Sequence, residues 1–369
     1  VRVKTRSRLL LVAFLAVCGI VVAPTGPASA ASLPGTVLTS ATATLPPELS
    51  PLATGKRIQY LTTDVNGALI PATALILTPK TGKKNRTVAW AHGTTGLADQ
   101  CAPSNNQAVF WPEARTAVAA LLGKGWTVAA ADYQGLGTAQ SHPYLVGGSE
   151  ARSVIDSVKA ARNLDSALST QYVVDGHSQG GQAALFASQI APSYDGNLVL
   201  RGTASIAPVS NVDAMAPLIP GTPGQGYLVM GLYGLAAVDA TFNPNSVLAA
   251  QAKTKTSSLN TGCLMEILAS YENLTAEQLL VGGALPAAVV TKLAHYDNPA
   301  QTTPSAPILI VQGTDDEAVP SFITHDLLLP ELQAYSQPVT YTELAGATHD
   351  SSVVLSAGTV ATWIAARFT

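Results

Sequence analysis

The chain has 369 residues, 47% hydrophobic and only 12% charged, with a formal net charge of −3. That length allows one large domain with a full core or two modest ones. The acidic balance and the lack of a polybasic patch argue against a nucleic-acid partner and against electrostatic docking on anionic lipid.

The first thirty residues read as an export signal. Arg2, Lys4, Arg6 and Arg8 precede an uncharged apolar stretch over residues 9–23, and Ala28-Ser29-Ala30 supplies a small-residue cleavage site. A membrane anchor fails on length: about fifteen apolar residues fall short of the ~20 that span a bilayer, and Pro24 and Pro27 break any continuation. The expectation is a secreted chain, residues 31–369, cleaved near Ala30 and without a transmembrane segment. Four of the 20 basic residues and none of the 23 acidic ones would leave with the signal, taking the formal charge from −3 to −7. Of the 3 cysteines, Cys18 lies in the signal. Cys101 and Cys263 remain, an even pair that in an oxidising compartment is most simply one disulfide, the alternative being two free buried thiols. No Cys/His spacing resembles a zinc site, so no metal is expected.

After a Pro- and Thr-rich lead-in (residues 34–51), strands are predicted at 57–63 and 69–77, joined as a hairpin by Asp64-Val65-Asn66-Gly67. A strand at 87–91, a helix at 112–124 and a strand at 127–131 follow. The alternation continues with a helix at 148–164, a strand at 171–175, a helix at 180–191 and a strand at 201–206. It resumes late in the chain with strands at 308–311 and 339–344 and helices at 321–335 and 351–368. Short apolar runs alternating with helical patterns predict one α/β domain, a mostly parallel eight-stranded sheet flanked by helices. The rhythm fails between about residues 209 and 303. There, residues 214–238 carry no charge but are broken by Pro217, Pro220 and Pro223, which predicts a helical cap, or lid, over the carboxyl edge of the sheet. Its apolar content is either plain cap core or the wall of a greasy substrate channel.

The chemistry centres on Gly176-His177-Ser178-Gln179-Gly180, where an apolar run gives way to a helical pattern. A serine on a sharp turn between strand and helix needs neighbours without a Cβ if its hydroxyl is to stand exposed, which makes Ser178 the candidate nucleophile. The Gly-x-Ser-x-Gly pattern alone arises by chance in roughly one chain in six of this length, so position has to carry the argument. A serine nucleophile needs a base, and Gly346-Ala347-Thr348-His349 places His349 after the last strand, with an imidazole suited to accept and return a proton near neutral pH. An orienting acid is supplied by the turn after strand 308–311, with Asp316 the candidate and Asp315 the runner-up. The chain order is Ser, Asp, His. Strand 87–91 runs into His92-Gly93-Thr94-Thr95-Gly96, a loop suited to hold an oxyanion. The backbone N–H of Gln179 would give one bond and that of Thr94 or Thr95 another. Asp132 is expected to be a buried turn-former, His92 to hold its loop, His142 and Tyr144 to pack, and His177 to be the variable position of the elbow. His295 and His325 have no obvious partner. No glycine-rich nucleotide fingerprint is present, and no cofactor is implied.

On the segments 91–96 continuing to Cys101-Ala102-Pro103-Ser104, on 131–137, and on Gly176-His177-Ser178-Gln179-Gly180-Gly181-Gln182-Ala183, the chain resembles the secretory lipase family of α/β-hydrolases. This is the Candida antarctica lipase A-like group, with its exported actinobacterial branch. The resemblance implies Ser178 as nucleophile, Asp316 as acid, His349 as base and a disulfide from Cys101 to the cap cysteine Cys263. It also implies cofactor-free hydrolysis of triacylglycerols or simpler carboxylic esters through an acyl-enzyme, with transient contact at a lipid interface. Three rivals share these features. An exported acyltransferase and a serine peptidase would use the same triad, and a non-catalytic hydrolase-like shell would bind lipid or another protein.

Overall fold

A computed structural model describes residues 1–3 and 33–369. The expected export signal lies outside the described residues but for its first three positions, and residues 33–369 form one compact unit of their own. Among the described residues, no helix is long and apolar enough to cross a membrane.

The strands are β1 (Val37–Ala43), β2 (Ala53–Thr63), β3 (Leu69–Pro79), β4 (Thr87–Ala91), β5 (Thr127–Ala131), β6 (Gln171–His177), β7 (Val199–Ile206), β8 (Ile308–Gly313) and β9 (Val339–Leu344). They form one 9-stranded sheet in the order β1-β2-β3-β5-β4-β6-β7-β8-β9. From β5 to β9 every neighbouring pair is parallel, while β1, β2 and β3 form an antiparallel arm that joins β5. The sheet has one strand more than expected. β1 is almost wholly exposed, and its sequence Val-Leu-Thr-Ser-Ala-Thr-Ala has no alternating apolar face to read, because backbone pairing to β2 rather than side-chain burial holds it. The predicted hairpin turn is present. Asp64 Oδ1 accepts the N–H groups of Asn66 (2.8 Å) and Ala68 (2.9 Å), and Gly67 takes the left-handed conformation (φ 84°) that the turn demands.

Successive side chains of the central strands point to opposite faces, and the two cores follow from that. Val88, Trp90 and Val128 pack with α1 (Pro112–Gly123) and α12 (His349–Ala365) on one face. Ala89, Ala91, Tyr172 and Val174 pack with α2 (Gly147–Leu164) and α3 (Gln179–Tyr194) on the other. Because both faces are covered, β4 and β5 are buried at every position and read as unbroken apolar runs. The predicted helix at 321–335 is instead a π-helical turn (Ile323–Leu328) running into the short α11 (Leu329–Gln333). Pro330, at the start of α11, has no N–H to give to an i−4 carbonyl, so an uninterrupted α-helix cannot pass through it.

Between β7 and β8 the chain leaves the sheet and forms α4 (Val212–Met215), α5 (Gln225–Val238), α6 (Ala250–Lys253), α7 (Ser258–Thr261), α8 (Leu264–Tyr271), α9 (Ala276–Leu279) and α10 (Ala287–Asp297). This insertion has its own core, built from Val229, Met230, Leu232, Ile267 and Leu279, which also takes in Tyr144 and Ile323 from the body. Cys101 and Cys263 are disulfide-bonded, with a Cα–Cα distance of 5.5 Å, and so join the loop after β4 to the start of α8.

Beneath the start of α3 lies a buried polar cluster. Glu150 Oε1 accepts from Gln179 Nε2 (2.7 Å) and from the Leu145 N–H (2.9 Å), and Gln179 Nε2 also meets His142 Nε2 (3.1 Å). His142 Nδ1 meets the Gln134 carbonyl (2.7 Å), and Ser149 donates to Gln134 Oε1 (2.7 Å). Burial drives the Glu150 carboxyl up to about 8 and the His142 imidazole down to about 3, so both are neutral near pH 7.

Two predictions follow from these contacts. Replacing both Cys101 and Cys263 by alanine removes a constraint on the unfolded chain, and urea unfolding should register a loss of about 2–4 kcal/mol. Glu150 is protonated in the folded protein up to about pH 8 but ionises near 4.5 when unfolded, so its contribution to stability falls as pH rises through that window. Glu150→Gln, which keeps both accepted bonds and mimics the neutral acid, should gain on wild type between pH 5 and pH 8.5. The expected gain is on the order of a few kcal/mol in unfolding free energy, and equal pH profiles for the two proteins would refute it.

Candidate active site

The strand order reverses around β4, which lies between β5 and β6, and open α/β sheets bind ligands at the carboxyl ends of strands at such a point. Ser178 stands there, at the turn from β6 into α3, with φ 59° and ψ −118°. A non-glycine residue in that region is strained and persists only where its surroundings force it. Here the force comes from backbone crowding. A Cβ at Gly176 would lie 2.1 Å from the Gly180 carbonyl oxygen, and one at Gly180 would lie 1.9 Å from that of Ala91 in β4. The turn is further tied by the Ser178 N–H, which donates to the Ile206 carbonyl (2.9 Å) at the end of β7.

His349 opens α12, whose N-cap Thr348 accepts from the Ser351 N–H. Its Nδ1 lies 2.8 Å from Asp316 Oδ2. Asp316 is 6% exposed and firmly aimed. Its Oδ1 accepts the N–H groups of Ala318 (2.9 Å) and Val319 (2.8 Å), and its Oδ2 also accepts from Gln312 Nε2 (3.0 Å). Asp315 is exposed and accepts from the Thr314 hydroxyl instead, so the structure pairs Asp316, not Asp315, with the histidine. The His349 ring lies 4.5 Å, centroid to centroid, from that of His177, the residue before Ser178. Among the described residues the Ser178 hydroxyl makes no hydrogen bond to His349, and such contacts are commonly long before substrate binds.

The two expected oxyanion donors are placed by different elements. Gln179 is the first residue of α3, where helix geometry leaves its N–H without an internal partner. Thr94 follows β4, held by its Oγ1 against Tyr144 Oη (2.7 Å) and by Trp111 Nε1, which donates to its carbonyl (3.1 Å). Neither backbone N–H is bonded to another described residue. Thr94 lines the cavity together with Ser178, while the Thr95 carbonyl accepts from Leu264 of the insertion (2.8 Å). Backbone N–H groups without a partner are the kind of donor that can stabilise a tetrahedral oxyanion.

Ser178 opens into a cavity of about 640 Å³ between the sheet edge and the insertion. Its walls are largely apolar, with Met215, Leu218, Ile219, Tyr227, Leu228 and Met265 among them. Glu272, Asp297 and Glu317 also line it, and among the described residues no lysine, arginine or histidine does. Asp297 is 2% exposed, and burial, with Glu150 nearby, drives its carboxyl far above the usual range.

Several residues behave as the sequence led us to expect. Asp132 is buried and shapes its turn by accepting from Thr73 Oγ1 (2.7 Å) and the Ser104 N–H (2.9 Å). His92 meets the Gly93 carbonyl through Nδ1 (2.6 Å) and packs on the Tyr133 ring. Tyr144 does more than pack, since it holds Thr94 and lines the cavity. His325 has a partner after all, Asp326, on the surface. Sequence reasoning missed Gln312, Glu150 and Asp297. Gln312 is fixed by Thr324 Oγ1, which donates to its Oε1 (2.8 Å), and so positions the Asp316 carboxylate. A buried glutamine four residues before an aspartate was the one local sign of that role.

A protein-family comparison matches residues 103–369 to the family described as "Secretory lipase". Among curated proteins, Lipase 7 of Candida albicans is 27% identical over 195 residues, covering 50% of this chain and 45% of that protein. Secreted triacylglycerol lipase LIP7 of Malassezia globosa is 25% identical over 341 residues, covering 85% of this chain and 70% of that one. The chain thus spans less than half of the first relative and about two thirds of the second. Among solved structures, Candida antarctica lipase A superposes with a TM-score of 0.72 at 18% identity, over 86% of this chain and 78% of that one. With the α/β-hydrolase architecture in common and nearly three quarters of its length matched, the chain belongs to the secretory lipase family.

Proposed function

We propose that the protein is a secreted carboxylic ester hydrolase, a lipase or esterase, working through Ser178, His349 and Asp316. The observation that carries this reading is a strained serine at the elbow, opening into a large apolar cavity, with a histidine already paired with a buried carboxylate packed on the ring of the preceding residue, His177. His349 takes the proton of Ser178 as the hydroxyl attacks an ester carbonyl. The N–H groups of Gln179 and Thr94 bind the resulting oxyanion, and His349 then protonates the departing alcohol. Asp316 holds the ring in the tautomer that leaves Nε2 free. Water repeats the sequence on the acyl-enzyme and releases the acid. The insertion over residues 209–303 acts as the cap, and its apolar wall takes the acyl chain. Residues 1–30 act as the export signal, in keeping with relatives named as secreted lipases.

The cavity falls within the ~300–1,000 Å³ of typical small-molecule sites and is mostly greasy, which favours substrates with an acyl chain to bury. Each buried methylene contributes about 0.8 kcal/mol, so kcat/KM on p-nitrophenyl esters should rise by up to about fourfold per added carbon, or about fifteenfold per carbon pair, until the cavity is filled. Ser178→Ala should lower kcat by a factor of about 10⁴ or more at every chain length. Initial rates from acetate to palmitate check both expectations. Near-normal turnover by Ser178→Ala would end the scheme, and activity confined to acetate and butyrate would end the acyl-cavity reading.

A further inference from the structure

We propose that His177, His349 and Asp350 form a binding site for a zinc-like divalent transition-metal ion that switches the active site off. The part about inhibition rests on His349 being the base, whereas binding of the ion does not. Each of the three side chains offers one donor atom, and these donors lie within 4.8 Å of one another. Two ligands that each stand about 2.0–2.1 Å from a zinc ion can be no more than about 4.2 Å apart, so small side-chain rotations close the set.

A second observation is independent of that spacing. His177 is 4% exposed, and its Nε2 has no hydrogen-bond partner among the described residues. A buried imidazole nitrogen left unpaired is costly, and a ligand that supplies its missing interaction is favoured. The two imidazole rings are already adjacent, 4.5 Å apart. With Nδ1 of His349 held by Asp316, Nε2 is the nitrogen it can offer, and the Asp316 carboxylate is the kind of partner that orients a metal-bound histidine. Asp350 lies at the exposed side of the set. Two imidazoles and one carboxylate, with a fourth position open to water, suit zinc and its neighbours rather than calcium or magnesium, which prefer oxygen ligands.

An ion bound here would occupy the lone pair of His349 that takes the serine proton. No bond other than the metal–ligand bonds would form, and removal of the ion would restore the base. Calorimetric titration of the metal-free chain with ZnCl₂ tests the site without reference to catalysis. One ion should bind with a Kd of micromolar order or tighter. Asp350→Asn, an exposed change at little risk of unfolding the chain, and His177→Gln should each weaken binding at least about tenfold. Ester hydrolysis should fall to half at a zinc concentration matching the Kd and return with EDTA. Asp350→Asn should need at least about tenfold more zinc for the same fractional loss. No binding at ~1 mM zinc, or binding unchanged in both variants, would overturn the proposal. Specific binding by a chain that hydrolyses no ester would uphold the metal site and remove only the hydrolase reading.

Discussion

The site depends on a close approach of backbones at the end of β6. The turn from that strand into α3 presses Gly176 against Gly180 and Gly180 against the last carbonyl of β4, leaving no room for a Cβ at either position. Under that constraint Ser178 is driven to a positive φ, a conformation that an L-residue with a free choice avoids. The same crowding sets the rest of the geometry. It starts α3 directly after Ser178, with Gln179 as the first helical residue, and it holds the end of β4 alongside. The strained serine and the start of the helix are therefore products of one packing contact.

The parts of the molecule legible in the sequence are those whose physics is local. The buried parallel strands announce themselves as short apolar runs, and the elbow as glycines around a serine. The proposed acid and base announce themselves as polar turns after successive strands. What could not be read depends on partners far away in the chain. β1 is held by pairing to β2 and buries little of its own, only Val37 and Ala43 at its ends being partly covered. Glu150 is one of two acids on its helix until Gln179, 29 residues later, comes to rest on it. Gln312 has a role only because Thr324 and Asp316 close around it. The break in the helix after β8 was nearer to hand, since Pro330 stands inside the predicted span, but its outcome as a π-helical turn depends on packing that a local pattern does not describe.

The insertion is built to belong to the body rather than to float over it. Its core is continuous with Tyr144 and Ile323, its helix α8 is bonded at the start to the Thr95 carbonyl, and the disulfide fastens the same point. The loop after β4 is thereby gripped from both sides, by the sheet at Ala91 and by the insertion at Cys101. Since Thr94 lies between those anchors, the position of this proposed oxyanion donor is coupled to the seating of the insertion. Rigidity at that point matches the demand for donors fixed before charge develops.

The cavity wall has one further consequence. Among the described residues its polar side chains include three carboxyl groups and no basic residue. Under the proposed ester hydrolysis, an uncharged substrate would meet no penalty there, whereas the free acid produced would lose its proton in water, and its carboxylate would be poorly tolerated along the apolar wall away from the polar mouth at Ser178. On that reading the lining would admit the chain of the substrate more readily than it would take the ionised product back from solution.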